Sequence, residues 1–327
     1  MAHLPGRILA ALGEPQVTSP ADFARARRVQ LQGSITALVT PFAVDGTIDF
    51  PAFARLIAYQ LASGTQGVVV AGSTGEAAAL SATEYQALIR FAVEQVAGRV
   101  PVLAGTGQSA TASTIEQTRR AKEAGAEFAL VVTPPYVRPT DAGLVAHYRA
   151  VAAEGGLPIV LYNVPGRTGC DMKPEVVAQL AELPEVVGIK EAKPDRQRIE
   201  QLLHLASEQF VVLSGDDPTA FESFGLGAKG VISVASNAAP ASMRQLWELG
   251  RTRESVGPDA GLQALFDFLA VESNPIPVKA LLADTGLISE SLRLPLLPLS
   301  DAHRARMVEM SAWVRSVEPA LKSLTKH

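Results

Sequence analysis

The chain has 327 residues, 47% of them hydrophobic, and a formal net charge of -4 at pH 7. That length fits one large barrel or two ordinary domains. The acidic balance offers no basic surface to nucleic acid or an anionic membrane, and no uncharged apolar run approaches the roughly 18 residues of a membrane helix.

Residues 1–32 read as an N-terminal extension, either disordered or carrying a short helix. Arg7–Leu12 is too short for a secretory core. Ser19, Pro20 and Asp22 supply a cap, a first-turn proline and an early acid, so a short helix is predicted up to Arg28. Arg25, Arg27 and Arg28 would suit an organellar transit peptide, but Glu14 and Asp22 count against one.

From Ser34 onward strand-like and helical runs alternate. The strand-like runs are Ile35–Thr40, Gly67–Gly72, Val100–Thr106, Phe128–Thr133, Pro158–Asn163, Val186–Glu191, Phe210–Gly215 and Gly230–Ser236. Helical periodicity marks Asp49–Ser63, Ser81–Val96, Thr111–Ala124, Asp141–Ala153, Lys173–Ala181, Arg196–Ala206 and Pro218–Phe224. The second of these opens on a Ser-Ala-Thr-Glu capping box. Alternation of this kind implies a parallel sheet, and eight units predict a (β/α)8 TIM barrel over residues 33–240. Residues 241–327 read as a C-terminal helical region.

Lys190 is the only basic residue in the run Glu185–Ala192. Strand alternation puts Val186, Gly188 and Lys190 on one face and Val187 and Ile189 on the other. Both faces are apolar, as in a strand covered by helices. Burial there disfavours the ammonium, and a neutral amine is the nucleophile that forms Schiff bases with carbonyl substrates. The bland alternative is a lysine that snorkels into water at the end of its strand.

TIM-barrel chemistry sits at the C-terminal ends of the strands, and the polar residues gather there. Thr40, Gly72–Glu76, Thr133–Tyr136, Tyr162–Gly169, Lys190–Glu191 and Ser214–Asp217 all fall at such ends. Gly105-Thr-Gly-Gln-Ser-Ala110 imitates a dinucleotide-binding loop, but the following strand ends in Val-Val-Thr-Pro134, without the acid that a ribose needs. No cofactor is therefore expected. The five histidines lack ligand spacing, so no metal is expected either. Asp216 and Asp217 after strand seven would repel a phosphate dianion, which favours a small carboxylate or keto acid. Its carboxylate would rest on the backbone amides of Ser73 and Thr74.

The runs Gly33–Pro41, Gly72–Glu76, Leu161–Asp171, Gly188–Ala192, Leu213–Asp217, Gly230–Val234 and Asn274–Lys279 resemble the dihydrodipicolinate synthase family. That family lies in the pyruvate-dependent class I aldolase superfamily, which also holds N-acetylneuraminate lyase. The likeness covers roughly residues 33 to 310 in order. It implies condensation of pyruvate with L-aspartate 4-semialdehyde on the diaminopimelate route to lysine. Position by position, it implies Lys190 as the Schiff-base lysine and Tyr162 as the proton shuttle. Ser73 and Thr74 fall in the pyruvate site, with Ser73 relaying protons between Tyr162 and Tyr136. Tyr136 would reach across a tight dimer into the neighbouring site, and a homotetramer is expected. Arg167 would receive the carboxylate of the aldehyde substrate, and Ile232 would line the pyruvate pocket through its backbone. Ser73 stands where the family commonly has Thr, so a hydroxyl survives with a less constrained rotamer.

Two rivals remain open at this stage: another pyruvate-dependent lyase, acting on a sialic acid or a sugar-derived keto acid, and a catalytically idle pyruvate-binding barrel. Arg167 argues against the first and the set of Lys190, Tyr162 and Arg167 against the second. The resemblance also implies weak or no inhibition by lysine. The positions that would hold the inhibitor are Ala82, Tyr85, Ser109, Ser113 and Pro135, where charged and aromatic partners are missing. The single cysteine, Cys170, permits no internal disulfide and suits a reducing cytoplasm.

Overall fold

The computed structural model describes residues 31–252 and 257–324. The helix predicted up to Arg28, and the N-terminal extension before residue 31, lie outside the described residues. Eight parallel strands run β1 (Gly33–Ala37), β2 (Gly67–Val70), β3 (Val102–Gly105), β4 (Phe128–Val132), β5 (Ile159–Asn163), β6 (Val186–Glu191), β7 (Val211–Ser214) and β8 (Gly230–Ser233). They form a closed barrel in chain order, with β1 and β8 joined through Gly33 and Gly230.

Local sequence starts the intervening helices. Asp49 accepts from the Ala52 amide at the head of Phe50–Ala62. Ser81 and Glu84 form the predicted capping box of Ala82–Val96, and Asp195 and Asp216 cap Arg196–Leu203 and Asp217–Leu226. A small inner cluster drawn from every strand, including Ile35, Leu103, Phe128, Val160, Leu213 and Ile232, fills the barrel. A larger cluster lies between the sheet and its helices. The strands are thus buried on both faces, which is why their sequences read as continuous apolar runs.

Several strands stop earlier than their apolar runs. β1 ends at Ala37 because the ladder passes to a side chain: Asn237 Oδ1 accepts from the Val39 amide and its Nδ2 donates to the Ala37 carbonyl. β2 ends where Ala71 turns to φ 51, and the segment after β8 closes into a short 3-10 turn at Ala235–Asn237.

β6 departs from the expected alternation. Pairing with β5 runs Ile159↔Val186 and then Val160↔Gly188, so Val187 is an extra residue taken up as a bulge. Val186 joins the outer cluster with Ile189, while Val187 joins the inner one. The same shift sets Tyr162 opposite Lys190. An unbroken register from Ile159↔Val186 would set it beside Ile189.

Five helices follow the barrel among the described residues: Pro240–Arg251, Ala260–Leu269, Ile276–Asp284, Arg304–Val317 and Pro319–Leu324. No helix among the described residues is long and apolar enough to cross a membrane.

Candidate active site

A cavity of about 600 Å³ opens at the C-terminal ends of β2 to β5. Ser73, Tyr162 and Arg167 line it, as do Thr106, Gln108 and Thr168. Part of its wall comes from the C-terminal region, through Ser273, Asn274 and Arg293–Leu296.

Lys190 is 4% exposed and its Nζ lies 4.4 Å from the centroid of the Tyr162 ring. It does not snorkel. Behind the pair lies the apolar barrel filling, where Leu213 and Ile232 are wholly buried. An amine in such surroundings is poorly solvated and packs on an aromatic ring that carries a hydroxyl, an arrangement suited to carbonyl addition with local proton transfer.

The turn after β2 carries Ser73 and Thr74. Within it, the amides of Gly75 and Ala77 bond the Gly72 carbonyl and that of Glu76 bonds the Ser73 carbonyl. Ser73 is exposed to the cavity, whereas Thr74 is buried and its hydroxyl accepts from Asn274 Nδ2 at 2.9 Å. Arg167, in the short helix Pro165–Thr168, stands at the exposed rim. Its Nη2 donates to the Asn274 carbonyl at 3.1 Å, leaving other guanidinium donors for a carboxylate. Asn274 therefore joins the turn of β2 to the rim after β5.

Tyr136 stands apart from this group. It is 91% exposed, has φ 74 and does not line the cavity. Within one chain the structure does not bring it to Ser73 or Tyr162.

Asp216 and Asp217 do not serve as a phosphate-repelling wall. Asp216 caps the helix that follows it, and Asp217 Oδ2 accepts from the amides of Val234 and Ala235. Burial pushes the Asp217 carboxyl above its ordinary range, against the pull of those bonds and of Ser233. Both acids serve the loop structure and neither lines the cavity, so they do not account for a ligand without phosphate. The dinucleotide-like glycines have a packing reason as well: a Cβ at Gly105 would lie 2.2 Å from the Ala71 carbonyl oxygen.

Residues without a role in the sequence reading also shape the site. Lys279 donates to Glu76 Oε1 and to the Thr40 carbonyl beneath the Ser73–Thr74 turn. The Arg293 amide donates to Glu76 Oε2, and its guanidinium pairs with Glu84 and lies 4.4 Å from the Phe42 ring centroid. That pairing holds the Glu84 carboxyl at about 2. Thr40 and Glu76 were marked in the sequence as polar strand ends, and a lysine inside the apolar stretch Ile276–Leu282 was the signal of their partner. Among the described residues, no group of three or more His, Cys, Asp or Glu side chains is arranged to hold a metal ion.

Comparison with known proteins places this geometry. The model of the dihydrodipicolinate synthetase family matches residues 30–312. A 4-hydroxy-tetrahydrodipicolinate synthase of Xanthomonas campestris pv. campestris is 58% identical over 287 residues, covering 87% of this chain and 95% of that protein. One of the same name from Stenotrophomonas maltophilia is 57% identical over 302 residues, covering 91% and 100%. Among solved structures, the chloride-inhibited dihydrodipicolinate synthase of Acinetobacter baumannii complexed with pyruvate has a TM-score of 0.82 at 39% identity. That match covers 88% of this chain and 99% of the other.

Proposed function

The chain belongs to the dihydrodipicolinate synthetase family, and from that premise we propose that it condenses pyruvate with L-aspartate 4-semialdehyde to give 4-hydroxy-tetrahydrodipicolinate. It is thus a lyase of the class I aldolase type on the diaminopimelate route to lysine. The observation that carries this reading is the buried Lys190 amine packed against Tyr162 beside the cavity.

In this scheme Lys190 Nζ adds to the C2 ketone of pyruvate, and protonation of the resulting hydroxyl lets water leave to form the Schiff base. Tyr162 supplies and receives the protons, with Ser73 and Tyr136 as its relay. Loss of a C3 proton gives an enamine, whose C3 attacks the aldehyde carbon while the aldehyde oxygen takes up a proton; the amino group of the second substrate then adds to C2, closing the ring and displacing Lys190 as the free amine. The amides of Ser73 and Thr74 hold the pyruvate carboxylate, Ile232 walls the pyruvate pocket, and Arg167 receives the carboxylate of the second substrate. The scheme uses no cofactor.

The exposure of Tyr136 supports a tight dimer in which this residue of each copy completes the other's relay, with further assembly to a homotetramer. Residues 33–240 act as the catalytic barrel, and the helical region 241–327 belongs to the same unit because it walls the cavity. The cytoplasm is the proposed location, its reducing conditions suiting the unpaired Cys170.

The test is a coupled assay with pyruvate and aspartate semialdehyde, run beside N-acetylneuraminate and 2-keto-3-deoxygluconate. Borohydride with pyruvate should leave one reduced adduct, mapped to Lys190. An adduct on another lysine, or none in active protein, would sink the mechanism. Cleavage of a sugar-derived acid with no condensation would favour the sister lyase reading.

A further inference from the structure

The two residues that follow the reactive pair are themselves buried and in contact. Asn163 comes after Tyr162 on β5 and Glu191 after Lys190 on β6, and the two are register partners. Asn163 Nδ2 lies 3.0 Å from each oxygen of Glu191. Neither residue lines the cavity, and no step of the reaction uses them.

Their remaining bonds form a closed set on the outer face of the barrel. Asn163 Oδ1 accepts from the Met172 amide at 2.9 Å, and the Asn163 carbonyl accepts from the Ala192 amide. Glu191 accepts from Arg198 Nε and from the Lys193 amide, each at 2.9 Å. Arg198 also reaches Asp171, whose Oδ1 accepts from Asn163 Nδ2. The side chain of Glu191 is 0% exposed and that of Arg198 5%. A buried ion pair is weak evidence for stability but well suited to specifying register.

Register is what this part of the barrel must specify. The Val187 bulge moves the β5–β6 pairing by one residue, and of the unshifted and shifted registers only the shifted one sets Tyr162 against Lys190. Apolar side chains on both faces distinguish the two poorly. A polar contact immediately beyond the pair distinguishes them well, because slipping by one residue would bury Glu191 and Asn163 without each other.

We propose that Asn163 and Glu191 are positioning residues whose buried contact locks the β5–β6 register beyond the Val187 bulge and so holds Tyr162 against Lys190. This inference rests on the Schiff-base reading given above.

The test uses Asn163→Ala in the full chain, with Glu191→Gln as a second variant that keeps the side-chain volume and turns one acceptor into a donor. Circular dichroism establishes folding, and a variant that does not fold is set aside in favour of the other. Displacement of a proton-transfer group by about 1 Å can cost on the order of a hundredfold in rate. The folded variant should therefore lose about ten- to a hundredfold in kcat, with KM for pyruvate within about twofold of the parent. Borohydride trapping at Lys190 should slow in step, and the pH profile of kcat should shift. Parent-like kcat, trapping rate and pH profile in a folded variant, or failure of both variants to fold, would reduce the contact to a structural one and overturn the proposal. Absence of a pyruvate adduct in the parent enzyme would instead remove the Schiff-base reading, and this inference with it.

Discussion

The Lys279 ammonium lies 2.6 Å from Glu76 Oε1, with the two side chains 0% and 2% exposed. Glu76 closes the turn that presents Ser73 and Thr74, and its backbone is held at φ 52, a conformation that non-glycine residues seldom adopt. The pair fastens the helix Ile276–Asp284 beneath the site, although 203 residues separate the partners. Burial draws the Lys279 pKa below its ordinary value, and the Glu76 carboxylate opposes that.

Breaking this pair from one side strands a buried charge. Lys279→Met should destabilise the fold by about 3–5 kcal/mol. Lys279→Met combined with Glu76→Gln should recover a large part of that. Urea unfolding of the parent, the single variant and the double variant gives both differences. A single variant within about 1 kcal/mol of the parent would show that the pair contributes no more than a surface one.

Gly215 leaves the space that Lys190 occupies. A Cβ there would lie 2.9 Å from both Cγ and Cε of Lys190 and 2.8 Å from the Ala192 Cβ. Gly215→Ala should displace the lysine stem and cut pyruvate trapping about tenfold or more, for a stability cost of about 1–3 kcal/mol. Unchanged trapping kinetics in the variant would mean that the stem moves aside without consequence.

Tyr162 and Arg167 should fail in different ways. Tyr162→Phe removes the hydroxyl proposed as the acid–base group and should lower turnover by roughly 10²-fold or more. Arg167→Ala should impair use of the aldehyde far more than it impairs pyruvate trapping at Lys190. If Arg167→Ala abolished pyruvate binding and left the aldehyde kinetics alone, the clamp would be misassigned.

Lysine should inhibit weakly or not at all. Tyr85, the side chain best able to rebuild an inhibitor pocket, is 1% exposed and its hydroxyl donates to the Gly105 carbonyl. Ser109 spends its hydroxyl on the Pro135 carbonyl. Losing one charge-assisted hydrogen bond weakens binding roughly ten- to a hundredfold. Half-inhibition at sub-millimolar lysine in an initial-rate titration would contradict this.

Mild acid should destabilise the fold through His147. Its Nδ1 lies 3.0 Å from Thr111 Oγ1, while Nε2 is buried with no partner among the described residues. Burial lowers its pKa to about 4 from 6.5. Between those values the unfolded chain binds a proton that the native state refuses. The contribution is therefore complete above about pH 6.5 and is lost as pH falls towards about 4, the loss reaching about 2 kcal/mol at pH 5. His147→Gln should flatten the difference between unfolding free energies at pH 7 and pH 5. An equal drop in both proteins would assign the acid sensitivity elsewhere.

The barrel and the polar end of its strands were legible in the sequence because both signals are local. Parallel strands covered on both faces read as apolar runs, helices announce themselves through caps such as Ser81 and Glu84, and Lys190 stands out as a single amine in such a run. The family motifs added roles for Tyr162, Ser73, Thr74, Arg167 and Ile232, and the fold brings Ser73, Tyr162 and Arg167 to one cavity.

Sequence by itself determined the order of elements, the end of the barrel where the polar residues gather and the buried amine that stands there. Only the tertiary structure decided that Val187 bulges so that Tyr162 meets Lys190, that Asp217 is turned into the β8 loop, and that Asn274, Lys279 and Arg293 build the site from the far end of the chain. Periodicity records which way neighbouring side chains point, but a bulge reverses it without changing composition. Contacts such as Lys279 to Thr40 span 239 residues and depend on barrel closure, which no local pattern encodes.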